Sequence, residues 1–356
     1  MAMFGEPSSL PAGNEIGSPL EALDDLGRPV NFGWARGPLW HYDSSLLRAS
    51  PRRFNAQDRY FIQSPGFFIV MQIIDGGALG YAGVTLVSLA EKKRSSQTLM
   101  IPLSLGAMGL PDSGDAGRAR IWKGGYLVEF TAMEGGTRII RVDIPKFEKR
   151  RYLRGELVLT PPPGGESLVT HLPWRTDRGA FALTRRSPWY AVEGIIQFGS
   201  QEIVFPQGKS FALYEWSRGV RPRANVYQWA GAAGIPDNRP GGPALAFTVG
   251  YGGADSLAGT ENAFFSDGRL HKLGQVTFHL SPANGMSPWR FTSSDERLEM
   301  TFAPLEERSE RKSWFFHSLQ RRQFFGFFAG RVVLDGGEAV EFQGLPGMAE
   351  RGRTVR

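Results

Sequence analysis

The chain has 356 residues, 41% hydrophobic, 21% charged and 12% aromatic, a balance too apolar for disorder and, at roughly 150 residues per domain, long enough for about two domains. Cysteine is absent, which excludes disulfide frameworks, thiolate metal sites and cysteine nucleophiles. The net charge of +6 comes mostly from arginines scattered among acids, which reads as solvated surface rather than a nucleic-acid footprint.

Residues 1–27 are polar and rich in Pro and Gly, and they predict a flexible N-terminal arm with room for a short helix at Glu21 to Leu26. That start has neither a basic segment nor an apolar stretch, so a cytoplasmic protein is expected. The longest apolar run, Phe67 to Ile74, is interrupted by Gln72 and suits a strand rather than a membrane span. Helical patterns are confined to part of Ser44 to Phe54 and to Glu310 to Gln323, where Trp314, Phe315 and Leu319 form one stripe.

Short apolar or alternating runs dominate the rest. The first series is Phe67 to Ile74, Tyr81 to Leu89, Leu99 to Leu105, Tyr126 to Met133, Thr137 to Ile144, Glu156 to Thr160 and Ser167 to Trp174. The second runs from Tyr190 to Phe198 through Ser210 to Trp216, Val226 to Ala230 and Ala244 to Tyr251 to a last strand at Ala339 to Gln343. Asp267-Gly268 has the chemistry of a type I′ hairpin turn, and Gly199-Ser200 that of type II′. The 45 glycines and 24 prolines fit such turns and argue against a helical protein. The expectation is an all-β chain of two tandem antiparallel β-barrels or strongly curved sheets with few short helices, divided as 28–185 and 186–356.

Standard cofactor motifs fail. Gly208-Lys209-Ser210 lacks the first glycine of a phosphate loop, with Ile203 in its place, and Gly250 to Asp255 ends in aspartate where a dinucleotide fingerprint needs its third glycine. The five histidines show no metal-ligand spacing. No cofactor and no metal are expected.

The densest mixture of aromatic and polar residues is Tyr214 to Trp229, holding Glu215, Trp216, Arg218, Arg221, Tyr227 and Trp229. In an extended strand Tyr214, Trp216 and Arg218 share one face and Glu215 takes the other, so they cannot all line one lumen without a bulge. A functional reading makes Glu215 a buried general acid or base beside tryptophans that stabilise a developing cation. The structural reading pairs Glu215 with Arg218 or Arg221. Glu261, Asn262 and His271 flank a hairpin and are further ligand-binding candidates, as is His171 beside Trp174. Barrel mouths favour small-molecule sites, so a hydrophobic small molecule is the expected partner. Three classes stay open: a carrier of a lipid, fatty acid or isoprenoid; a cofactor-independent hydratase, isomerase or cyclase using Glu215; and an interaction protein.

The segments GWARGPLW (Gly33 to Trp40), EWSRGVRPR (Glu215 to Arg223), GTENAFFSDGRLHKLG (Gly259 to Gly274) and PWRFTSSDERLEMTFAP (Pro288 to Pro304) occur in a distinctive order. With FFGFFAGRVVLDGGEAVEFQGLPGMAE (Phe324 to Glu350), the chain resembles the bacterial domain-of-unknown-function 2804 family from about Gly27 to Glu350. More distantly it is similar to the lipocalin-like AttH and carotenoid hydratase (hydroxyneurosporene synthase) group. That resemblance implies two calycin barrels and, for some members, cofactor-free chemistry on apolar polyenes. The sequence departs from that signature at Ser217, where glycine usually follows the tryptophan, and at Leu213, where hydratase-like members often carry an acid.

Overall fold

The structure is a computed structural model and describes residues 13–174, 176–177, 179–281, 285–314 and 317–355. The first fifteen strands are β1 (Leu20–Glu21), β2 (Gly33–Ala35), β3 (Trp40–His41), β4 (Phe54–Ser64), β5 (Phe67–Asp75), β6 (Leu79–Ser88), β7 (Lys93–Pro102), β8 (Gly117–Lys123), β9 (Tyr126–Ala132), β10 (Arg138–Glu148), β11 (Arg151–Thr160), β12 (Leu168–Pro173), β13 (Phe181–Phe198), β14 (Gln201–Phe205) and β15 (Phe211–Val220). Nine more follow: β16 (Ala224–Gly234), β17 (Leu245–Tyr251), β18 (Ala263–Ser266), β19 (Arg269–Lys272), β20 (Val276–His279), β21 (Trp289–Ser293), β22 (Leu298–Trp314), β23 (His317–Val333) and β24 (Ala339–Val355).

Apart from β1 and β3, which pair with each other, they form two curled antiparallel half-barrel sheets. The first runs β7-β6-β5-β4-β15-β13-β11-β10-β9-β8, with β12 and β14 also pairing β13, and β2 pairing β12. The second runs β19-β18-β17-β16-β24-β23-β22-β21-β20. Binary patterning explains the registers. In β10, Ile140, Val142 and Ile144 enter the first core while Arg141 faces solvent; in β22, Leu298, Met300 and Phe302 enter the second core opposite exposed Glu299 and Thr301. Asp267 and Gly268 both have positive φ, 51° and 79°, the backbone that a two-residue I′ turn demands.

All ten residues of β15 are buried, because its outer face meets the second sheet. Two apolar clusters fill that seam. One contains Phe68, Leu213, Trp229, Phe325 and Met348; the other contains Trp189, Phe211, Ala246 and Phe265.

Several expectations need correction. The arm expected over 1–27 packs in its described part: Ala22 and Leu23 are buried, and β1 pairs in parallel with β3, so Glu21 to Leu26 forms a strand end and a turn rather than a helix. Residues 1–12 lie outside the described residues. Ser44 to Phe54 holds only two 3₁₀ turns, Ser44–Leu46 and Pro51–Arg53. Glu310 to Gln323 lies on the β22–β23 hairpin, where Glu310 stands opposite Arg321 and Arg308 opposite Gln323; these cross-strand pairs outweigh the helical stripe, whose Phe315 lies outside the described residues. The division expected near residue 185 falls inside continuous β13, and strand pairing passes from one sheet to the other between Val220 and Ala224. Among the described residues no helix is long and apolar enough to cross a membrane.

Candidate functional site

Strand β15 alternates as its sequence dictates. Tyr214 and Trp216 enter the first core, whereas Leu213, Glu215 and Ser217 face the second sheet. Between the sheets lies a cleft of about 190 Å³. Its first wall holds Asn55, Gln57 and Arg59 of β4, Thr184 and Arg186 of β13, and Glu215 and Ser217 of β15. Opposite are Tyr227, Gln228 and Trp229 of β16, Arg321 of β23 and Glu350 of β24. Arg221, from the β15–β16 connection, and Glu261, before β18, complete the charged lining.

Strand register builds this constellation. Arg59, Glu215 and Arg186 are directly opposite one another on three adjacent strands, and so are Trp229, Glu350 and Gln323 on β16, β24 and β23. Arg59 links the two rows: Nη1 donates to Glu215 Oε1 at 3.2 Å and Nη2 to Glu350 Oε2 at 2.8 Å. Arg186 Nε donates to Glu215 Oε2 at 3.1 Å, and its Nη1 is 2.8 Å from Glu261 Oε1. Tyr227 donates its hydroxyl to Glu350 Oε1 at 2.6 Å, and Gln323 Nε2 donates to Oε2 at 2.7 Å.

Burial alone would raise the Glu350 carboxyl, but Arg59 and Arg321, with hydrogen bonds from Tyr227 and Gln323, hold it at about 2. The same burial, with the Glu350 charge beside it, pushes the Tyr227 hydroxyl well above its ordinary value, so it is a hydrogen-bond donor at neutral pH. Glu215 therefore bridges two guanidiniums, and they are Arg59 and Arg186 rather than the sequence-expected Arg218 or Arg221.

The cleft mixes this polar network with Leu79, Leu172, Phe181 and Trp229. Arg186 Nη1 has only its ion-pair contact with Glu261, and four further buried side-chain atoms on the lining have no hydrogen-bond partner among the described residues: the donors Arg59 Nε and Trp174 Nε1, and the acceptors Asn225 Oδ1 and Gln228 Oε1. Buried polar groups are ordinarily paired, so several unpaired ones grouped on one lining set this cleft apart. Among the described residues no three His, Asp or Glu side chains are grouped to hold a metal ion.

Of the sequence-expected site residues, Glu215, Arg221, Tyr227, Trp229 and Glu261 meet at the cleft. The others do not. Tyr214 stacks on Tyr60 at 4.7 Å with Arg138 over its ring, and Trp216 packs edge-on to Tyr42. Arg218, fully buried, is held by Asp58 and by the carbonyls of Gln57 and Pro111. Asn262 accepts from the Gly250 amide and donates to the Gly274 carbonyl, which is a strand-end role. His271 accepts from the Asp335 amide at 3.2 Å, away from the cleft. His171 is enclosed by Phe32, Trp40 and Phe181.

The family model for "Domain of unknown function (DUF2804)" matches residues 13–355. The chain belongs to the DUF2804 family. The solved structures similar to it include two from different sources. An AttH-type protein of Nitrosomonas europaea has 14% identity and a TM-score of 0.47, covering 85% of this chain and 92% of its own. Kievitone hydratase of Nectria haematococca has 10% identity and a TM-score of 0.44, covering 85% of this chain and 88% of its own. No curated protein sequence matches significantly.

Most of this DUF2804 cleft is not singled out by the sequence, including its polar residues Asn55, Gln57, Arg59, Arg186, Arg321 and Glu350. A signal existed in β4, where Asn55, Gln57, Arg59, Phe61 and Gln63 alternate with Ala56, Asp58, Tyr60 and Ile62. A mainly polar face on a central strand reads as solvent-exposed until a second sheet covers it. Glu350 lies past the last apolar run, on a strand that continues to Val355.

Proposed function

We propose that the protein binds a small organic molecule of mixed polarity in the inter-sheet cleft. An apolar or aromatic body would rest on Trp229, Phe181, Leu172 and Leu79, and polar substituents would meet the side-chain atoms left unpaired in the wall. The observation that carries this reading is the grouping of those atoms on one lining; few convergent polar groups in a partly apolar concavity are the usual form of such sites. Compared with the hydrophobic ligand expected from the sequence, the arginine-rich lining favours one bearing several hydrogen-bonding groups. Native mass spectrometry of the purified protein before and after organic extraction tests this. The expected result is a bound mass that extraction removes; no bound mass and no uptake of aromatic probes would contradict it.

A cofactor-independent enzyme is the second reading, and one observation favours it. Of the three carboxylates on the cleft, Glu261 retains 30% side-chain exposure, against 5% for Glu215 and 1% for Glu350. Glu261, rather than Glu215, is then the carboxylate that a bound molecule can reach. Any turnover found should be lost in Glu261→Gln with ligand uptake preserved, and turnover surviving in that variant would remove Glu261 from the chemistry.

A further inference from the structure

We propose that the ligand of this cleft carries an anionic group, a carboxylate or a phosphate, seated against the guanidinium of Arg221. The inference rests on the cleft-binding reading and adds its chemical class. Four arginines line the cleft, and three have carboxylate partners: Arg59 with Glu215 and Glu350, Arg186 with Glu215 and Glu261, and Arg321 with Glu310 at 2.6 Å. Arg221 has none within ion-pair distance among the described residues. Its Nε donates to the neutral Asn55 Oδ1 at 2.6 Å, which leaves the two terminal nitrogens for another partner.

The acid whose charge acts on it, Asp75, is already committed: its oxygens accept from Ser104 Oγ at 2.6 Å and from the Gly77 and Met108 amides. Arg221 is also fixed in place. Its amide donates to the Arg53 carbonyl at 2.8 Å, and Arg53 Nε donates back to the Arg221 carbonyl at 2.9 Å. Burial and the nearby Arg321 charge push its pKa down, yet an arginine stays protonated, so the cleft holds a pre-positioned cation lacking its counter-charge. A guanidinium presents paired N–H donors that match the oxygens of a carboxylate or phosphate.

The test uses three probes with one aromatic body, titrated by tryptophan fluorescence: 2-naphthoate, 2-naphthyl phosphate and the neutral 2-naphthamide. Wild type should bind at least one anionic probe about tenfold or more tighter than the amide, since a charge-assisted hydrogen bond contributes on that scale; which anion is preferred separates carboxylate from phosphate. Arg221→Met should abolish the preference, weakening the anionic probes about tenfold or more relative to the amide. Asn55→Asp, which supplies a carboxylate to Arg221 while keeping the arginine, should do the same and decides the matter if Arg221→Met does not fold. Equal affinity for charged and neutral probes in wild type, or a preference that survives in a folded variant, overturns the anion assignment alone. Failure of all three probes to bind wild type overturns the cleft-binding reading and this inference with it.

Discussion

Arg59 and Glu350 meet across the seam between the two sheets, Nη2 to Oε2 at 2.8 Å, with both side chains almost wholly buried. This contact fixes how the two rows of cleft side chains face each other. Arg59 belongs to a row on the first sheet and Glu350 to one on the second, so the ion pair sets the width of the cleft as well as the polarity of its wall.

Replacing Glu350 with Gln should destabilise the protein by roughly 3 kcal/mol at neutral pH, because Arg59 and Arg321 lose a buried counter-charge. The pH dependence has a definite sign. The Glu350 carboxyl lies near 2 in the folded protein against an ordinary 4.5, so its contribution is complete above about pH 4.5 and fades as pH falls toward 2. Thermal midpoints of wild type and Glu350→Gln across this range should converge at the acid end. Equal midpoints at pH 7 would contradict the prediction.

His171 carries a second acid sensitivity at a higher pH. Its ring is fully buried, makes no hydrogen bond of normal geometry, and is pushed by burial to about 4 from 6.5, with the carbonyls of Val30 and Asn31 offsetting only part of that shift. The histidine is neutral in the folded protein. Stability is therefore full above about pH 6.5 and falls as pH drops toward 4, with a total loss of roughly 3 kcal/mol. His171→Met should remove that slope in urea unfolding followed between pH 7 and 4. A slope identical to wild type would show that His171 is not its source.

Arg218 should matter for stability and not for binding. Its charge is spent on Asp58 and backbone carbonyls on the far side of β15 from the cleft. Arg218→Met strands Asp58 and should cost about 3 to 5 kcal/mol, as breaking a buried pair does. The surviving folded fraction should bind naphthalene probes with wild-type affinity. A selective loss of binding at unchanged stability would place Arg218 in the site after all.

Much of the fold is readable from the chain because its physics is local. Period-two burial in Ile140, Val142 and Ile144, and turn chemistry at Asp267-Gly268 and Gly199-Ser200, specify strands and hairpins within a few residues of themselves. The same alternation correctly separates Glu215 from Tyr214 and Trp216. The cleft is less legible because it exists only where two sheets meet. Arg59 and Glu350 are 291 residues apart, and nothing in either segment announces the other. The stripe through Leu319 misleads for a related reason: hairpin charge pairs such as Glu310 with Arg321 are invisible to a helical reading.

If the inter-sheet cleft is the binding site, filling it should block binding. Ala182 lies half-buried on the cleft lining, so Ala182→Trp should occupy the space with little disturbance to either core. Titration of wild type and Ala182→Trp with 2-naphthoate, alongside their circular dichroism and thermal midpoints, is the measurement. A folded variant that binds at least about tenfold more weakly, the ~1.4 kcal/mol expected when a ligand's place is taken, is the predicted result; a folded variant with wild-type affinity would contradict it.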